Sequence, residues 1–223
     1  MKKFLSVLLV LAMIFSFAAC GKKEEPAPKG PGCYVTIVKG DGEFAIAHEF
    51  VEFVDENGDG KNNIDEVLKA AHAQLGKAED YASADTEWGR SITKLWGDES
   101  GSYGYYNADQ MAMSLDDEVL EGTYVVAFVY QDQVNWSDAY SYIDNCVYEN
   151  GKLTVHVNKM GFDENWMAVP TDAEGVEVFI DGESVGTTDA EGKVTVSISG
   201  DKKEFKVTTK AAGLVPAIAE VAL

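Results

Sequence analysis

Hydrophobic and polar residues alternate in several stretches of this chain, the period of a strand with one buried face. Cys33 to Val38 (CYVTIV) reads as a first strand, and after a Gly-Asp-Gly turn Phe44 to Val54 alternates as a second. The period then changes. Ile64, Val67, Leu68, Ala71 and Leu75 fall at helical spacing, and Gly76 stops the pattern. Asp65 and Glu66 sit in the first turn of that helix, the sign its N-terminus favours. Lys77 to Glu99 is polar and irregular, punctuated by Trp88-Gly89 and Leu95-Trp96-Gly97. Tyr124 to Tyr130 (YVVAFVY) is β-branched and aromatic, the composition of a central strand. Trp136 to Tyr148 is a wet aromatic segment, and Lys152 to Val157 alternates again. From about Pro170 the strands become short and regularly spaced: Val176, Val178 and Ile180; Val194, Val196 and Ile198; Phe205, Val207 and Thr209. That texture predicts a small β-sandwich over 170–223, too small to be comfortable alone and so packed on the preceding domain.

The first residues have a different purpose. Lys2 and Lys3 precede an apolar run, Phe4 to Ala19, that is short for a membrane span. Phe17-Ala18-Ala19-Cys20 resembles the lipobox of bacterial lipoproteins, which implies a signal peptide over 1–19, cleavage before Cys20 and a lipid on its thiol. The expected location is the extracellular face of a bacterial membrane. Residues 20–32 then form a Pro-, Gly- and charge-rich linker. The formal net charge of −20 opposes binding to nucleic acid or anionic headgroups and favours attraction of cations.

Asp55-Glu56-Asn57-Gly58-Asp59-Gly60-Lys61-Asn62-Asn63-Ile64-Asp65-Glu66 fits the calcium-loop spacing D-x-[DN]-x-[DN]-G-x5-E. Calcium takes six to eight oxygens, so one short loop must offer a carboxylate, amide or carbonyl at alternate residues. Asp55, Asn57 and Asp59 would supply side-chain oxygens, Lys61 its carbonyl, Asn63 an oxygen directly or through water, and Glu66 both carboxylate oxygens. A strand-like flank precedes this single loop, which resembles dockerin-like calcium loops more than paired sensors. A solvated acidic turn is the competing reading.

Two further groups stand out. Trp96, Tyr103, Tyr105 and Tyr106 form the densest aromatic cluster, readable as a ligand platform or as core. Cys33 and Cys146 remain after Cys20; outside the cytoplasm they could pair as a disulfide or stay as two buried thiols. His48, His72 and His156 fall in separate elements, and no HExxH, GxSxG or phosphate-cradling glycine loop appears, so catalysis is not expected.

Lys94-Leu95-Trp96-Gly97, Gly104-Tyr105-Tyr106-Asn107 and the Glu121-Gly122 turn before an apolar strand resemble the transcobalamin C-terminal-like domain family. The resemblance covers roughly 33–158 and is carried by a first domain over 33–169. It implies an α+β, β-grasp-like curved sheet wrapped on one helix, followed by the sandwich, whose T-D-x-x-G run resembles carboxypeptidase-regulatory or Ig-like modules. It also implies a small-molecule ligand, with a corrinoid only weakly suggested. The expectation is a monomeric, membrane-anchored binding protein with a structural calcium; a structural or adhesive surface protein is the alternative.

Overall fold

The computed structural model describes residues 30–87, 89–164, 167–200 and 203–223. The signal-peptide candidate over 1–19, the lipidation candidate Cys20 and most of the candidate linker lie outside them. The described residues are mainly strand, with one α-helix among them.

The first sheet runs β2 (Phe44–Glu52), β1 (Gly32–Val38), β7 (Tyr124–Val129), β5 (Tyr103–Asn107), β6 (Gln110–Met111). The β1–β7 pair at its centre is parallel; the other pairs are antiparallel. Both central strands are buried on their two faces, which is why they read as near-continuous apolar runs. Cys33, Val35 and Ile37 of β1 and Val125, Ala127 and Val129 of β7 join one core. Val38, Val126 and Phe128 point the other way into a second.

Helix α1 (Ile64–Gln74) covers the first of these faces with Ile64, Val67, Leu68 and Ala71. Leu75, placed on that face by its spacing, is instead the C-cap and half exposed, because Gly76 turns the chain at φ 69°. The segment expected to be irregular holds a ribbon, β3 (Ala82–Thr86) against β4 (Gly89–Lys94), beside the helix.

The remaining strands form two further sheets. One is β10 (Ala168–Asp172), β9 (Lys152–Phe162), β8 (Ala139–Glu149) and β15 (Leu214–Val215), with β13 (Lys193–Ser197) also on β9. The other is β12 (Glu183–Thr187), β11 (Glu177–Ile180), β14 (Glu204–Lys210) and β16 (Ile218–Ala222). Leu153, Val155 and Val157 of β9 pack with Val176, Val178, Val194 and Val207. Strand pairing therefore groups β8 and β9 with the C-terminal strands, although their sequence positions fall within the span 33–169. Tyr140, Tyr142, Val215 and Met160 close over the outer face of the first sheet, which thus has the helix on one side and β-structure on the other.

The two cysteines belong to different cores. Cys33 is fully buried under α1, while Cys146 packs at the edge of the C-terminal core, and both thiols are free. This corrects the disulfide reading: strands β1 and β8 contribute these residues to separate packing faces. Burial pushes the Cys33 thiol up to about 12 and the Cys146 thiol up to about 11, so neither is a reactive thiolate at neutral pH.

Candidate functional site

Between β2 and α1 the chain curls through the acidic loop, with Gly58 and Gly60 at φ 74° and 80°. The Asp55 carboxylate accepts the N–H groups of Gly58, Asp59 and Gly60 at 2.7, 3.2 and 2.9 Å. Asn57 accepts from the Asp59 N–H at 2.8 Å, and Asp59 accepts from the Lys61 N–H at 2.8 Å. Glu66 reaches back from the helix. Its Oε1 accepts the N–H groups of Glu56 and Asn57 at 3.0 and 3.3 Å, and its Oε2 that of Asn63 at 3.2 Å. The Asn63 side chain accepts the Glu66 N–H at 2.9 Å, completing a capping box. All six candidate ligands thus lie in one loop whose first and last turns are tied through Glu66. Among the described residues, no group of three or more histidine, cysteine, aspartate or glutamate side chains is arranged so as to hold a metal ion. The carboxylates hold backbone N–H groups, and the donors on offer are all oxygens, which suits a hard cation by type.

The aromatic set divides by strand alternation. Tyr103 and Tyr105 point from β5 to the helix side and, with Trp96, pack half-buried against that core. The Tyr103 phenol donates to the Asp98 carbonyl at 2.7 Å. Trp96, at φ 51°, offers its backbone N–H to His72 Nε2 at 3.3 Å and carries the Lys77 amine 5.9 Å from its ring centroid. Tyr106 points to the opposite face and is only 6 % exposed. It stacks on Tyr140 with ring centroids 3.8 Å apart and planes 12° from parallel, and next to Phe128 at 6.4 Å. Tyr106 therefore leaves the platform and belongs to the core between the layers. Gly104 beside it is obligatory, since a Cβ there would stand 2.2 Å from the Phe128 ring.

Two polar constellations escape sequence reasoning. The first is the fully buried Asp65 in the first turn of α1. Its carboxylate accepts from the Tyr81 hydroxyl at 2.8 Å and pairs with Lys69 at 2.9 Å and Arg90 at 3.0 Å. Burial pushes this carboxyl up, but the bonds from Ser83, Lys69, Tyr81 and Arg90 together hold it below the usual range.

The second is a cleft of about 180 Å³ where β1, β2 and β7 meet β8 and β16, lined by Thr36, His48, Tyr124, Tyr140, Tyr142 and Glu220 among others. His48 is placed by a bulge. Val35 pairs with Glu49 and Ile37 with Ile46, so Ala47 and His48 together face Thr36. The bulge leaves His48 at φ 59°, with its ring flat on Tyr34 at 4.5 Å. Behind the cleft the Asp109 carboxylate accepts hydrogen bonds from the Tyr124 hydroxyl and, at 2.6 Å, from the Tyr140 hydroxyl. Asp109 and Ala108, at φ 61° and 47°, form the tip of the β5–β6 hairpin in a left-handed conformation that non-glycine residues adopt at a cost. The i, i+2 spacing of Tyr140 and Tyr142, which puts both rings on one face of a strand, was the one usable signal for this cleft.

No family model, no curated protein and no solved structure matches this chain.

Proposed function

We propose that this is a lipid-anchored surface protein that binds a small molecule in the cleft between its layers and carries a structural calcium in the Asp55–Glu66 loop. The observation that carries the reading is the cleft itself. It lies between packed units, its lining mixes tyrosine rings with aliphatic residues, and an imidazole, hydroxyls and a carboxylate converge on it. The backbone of His48 is held in a strained region there, and such strain gathers where a side chain must be aimed. The order β2-β1-β7-β5-β6, with a parallel central pair and one helix across one face, supports a β-grasp-like reading of the first unit and so the resemblance to the transcobalamin C-terminal-like family. At about 180 Å³ the cleft could hold only part of a ligand as large as a corrinoid. A purely structural surface module is the competing reading, favoured by the packed state of Tyr103, Tyr105 and Tyr106.

The test is mass spectrometry of small molecules that co-purify with the protein and with Ile218→Trp, a larger ring on the face of β16 that also carries Glu220. A species carried by the parent chain and lost in the variant is expected. No difference between the two would leave the structural reading.

Calcium has its own test. An ion at the loop would replace N–H groups as the partner of Asp55, Asp59 and Glu66 and fix the strand–helix junction. Extracellular sites of this kind bind at about 10⁻⁴–10⁻³ M. At a hundredfold excess over Kd the gain is about 2.7 kcal/mol, read as a higher melting temperature with calcium than with chelator. Asp59→Ala, at an exposed position outside the helix cap, should erase that difference while leaving the chelated protein nearly unchanged. Superimposable melting curves for the parent chain would mean the loop is an acidic turn only.

A further inference from the structure

We infer that the cleft lined by Tyr124, Tyr140, Tyr142, His48 and Glu220 takes a small organic ammonium ion, with its charge set against the rings of Tyr124 and Tyr142 and the Glu220 carboxylate. The inference rests on the cleft being a ligand site and adds the class of ligand.

Three features point to a cation. First, the lining includes the half-buried rings of Tyr124 and Tyr142, backed by Tyr140, which is itself stacked on Tyr106, and a cation over the face of a tyrosine is drawn to the negative side of its quadrupole. Tyr140 and Tyr142 are stacked neighbours on β8, with centroids 6.0 Å apart. Second, Tyr124 and Tyr140 donate their phenol protons to Asp109, and donation to a carboxylate leaves the rings richer in electrons. Third, the surroundings are negative: Glu220 stands at the rim, and the whole chain carries −20. His48 does not oppose this, since burial holds its imidazole below the usual histidine range despite the nearby Glu220 and Glu49 carboxylates. Among the described residues Lys206 is the cation that acts on His48, adding its own charge to the downward push there. Its amine donates to the Ala47 carbonyl at 3.3 Å and lies 3.9 Å from Glu220, a separation that leaves that carboxylate only loosely engaged. Size narrows the class. A volume of about 180 Å³ is below the roughly 300–1,000 Å³ of pockets that hold drug-sized ligands, so the ion is small.

The experiment compares choline with 3,3-dimethyl-1-butanol, its uncharged isostere, by titration calorimetry on the full-length protein in a maltoside detergent. Choline should bind saturably, and the isostere about tenfold more weakly, equivalent to about 1.4 kcal/mol. Glu220→Gln, an exposed change that leaves the fold alone, should weaken choline several-fold and leave the isostere unmoved. Ile218→Trp, on the same face of β16 as Glu220, should abolish both. Equal affinities for the two probes would overturn the cation while leaving a small-molecule cleft in place. Choline binding that survives Ile218→Trp would overturn the location, and absence of saturable choline binding would overturn the inference outright. An uncharged molecule found by co-purification would then still support the broader binding reading.

Discussion

Tyr106→Ala should destabilise the protein by about 3–5 kcal/mol, the cost of deleting a large ring from a packed core. In a chain of this size that corresponds to a fall in melting temperature of roughly 10 °C. Tyr106 stands in a row of rings that crosses between the layers: Tyr142, Tyr140, Tyr106, Phe128 and Tyr130, each within 6.4 Å of the next. Removing the middle ring takes contacts from both sheets at once, and the neighbours on each side are held by separate strands and cannot close the gap. Tyr105→Ala, one residue away but on the half-exposed opposite face, should cost much less, about 1–2 kcal/mol. Thermal melts of the two variants side by side would decide it. Equal, small losses would mean that Tyr106 is not the interlayer ring described here.

The second large effect is expected at Asp65. Asp65→Ala should destabilise by about 3 kcal/mol, because it strips a buried carboxylate from Arg90, Lys69 and Tyr81 and leaves their donors facing one another. Arg90 and Lys69 are about one-third exposed, and water reaching them keeps the figure at the lower end for a broken buried pair. The same group shapes the acid limb of stability. Its folded pKa is depressed, so its contribution is fully present above the ordinary carboxylate pKa near 3.9 and lost as pH falls through the folded value. His72 acts earlier on the way down. Burial holds its imidazole below the usual histidine value, against the pull of the Leu68 carbonyl and Asp80. Its Nδ1 donates to Leu68 at 2.7 Å and its Nε2 accepts from Trp96, which fixes a neutral tautomer. Its contribution is therefore complete above about pH 6.5 and fades as pH drops through the lowered value. Stability measured against pH should fall in two stages, and Asp65→Ala should shrink the lower one and leave the upper one in place, the rest of the lower stage coming from Asp41, Asp80 and Asp132, whose carboxyls are also held low by their hydrogen bonds. A profile in which that variant parallels the parent at every pH would count against Asp65 as the acid-sensitive group.

What the sequence made legible is what alternation and helical spacing can report. β1, β2, β7, α1 and the short C-terminal strands each bury a regular set of apolar residues, and each was readable from it. The β3–β4 ribbon was not. Ala82–Thr86 is small and polar and mostly exposed, and only Ile92 of β4 is buried, so neither strand shows a two-residue hydrophobic period. β8 hid for another reason. Its first half packs between layers while Val147 and Tyr148 lie exposed, and a register shift beside Asp144 breaks the alternation midway. The acidic loop was visible because its candidate ligands are contiguous in the chain. Beyond the Tyr140/Tyr142 spacing the cleft left no trace, because Thr36, His48, Tyr124, Tyr140 and Glu220 come from five strands, and the bulge that aims His48 leaves no mark in residue type.

The place where the chain joins the fold has a mechanical consequence. Gly32 opens β1, which is clasped along its length by β2 on one side and, from Tyr34–Tyr124 to Val38–Phe128, by β7 on the other. Tension arriving at Gly32 runs along the strand axis, so the hydrogen bonds on both flanks share the load in shear and do not open one after another. To slip, β1 must drag Val35 and Ile37 out from under the helix in the same movement. A protein tethered through its N-terminal side would thus grip its tether with the most deeply enclosed strand it has, and drag from flow or from a captured partner would meet resistance before any other element yields.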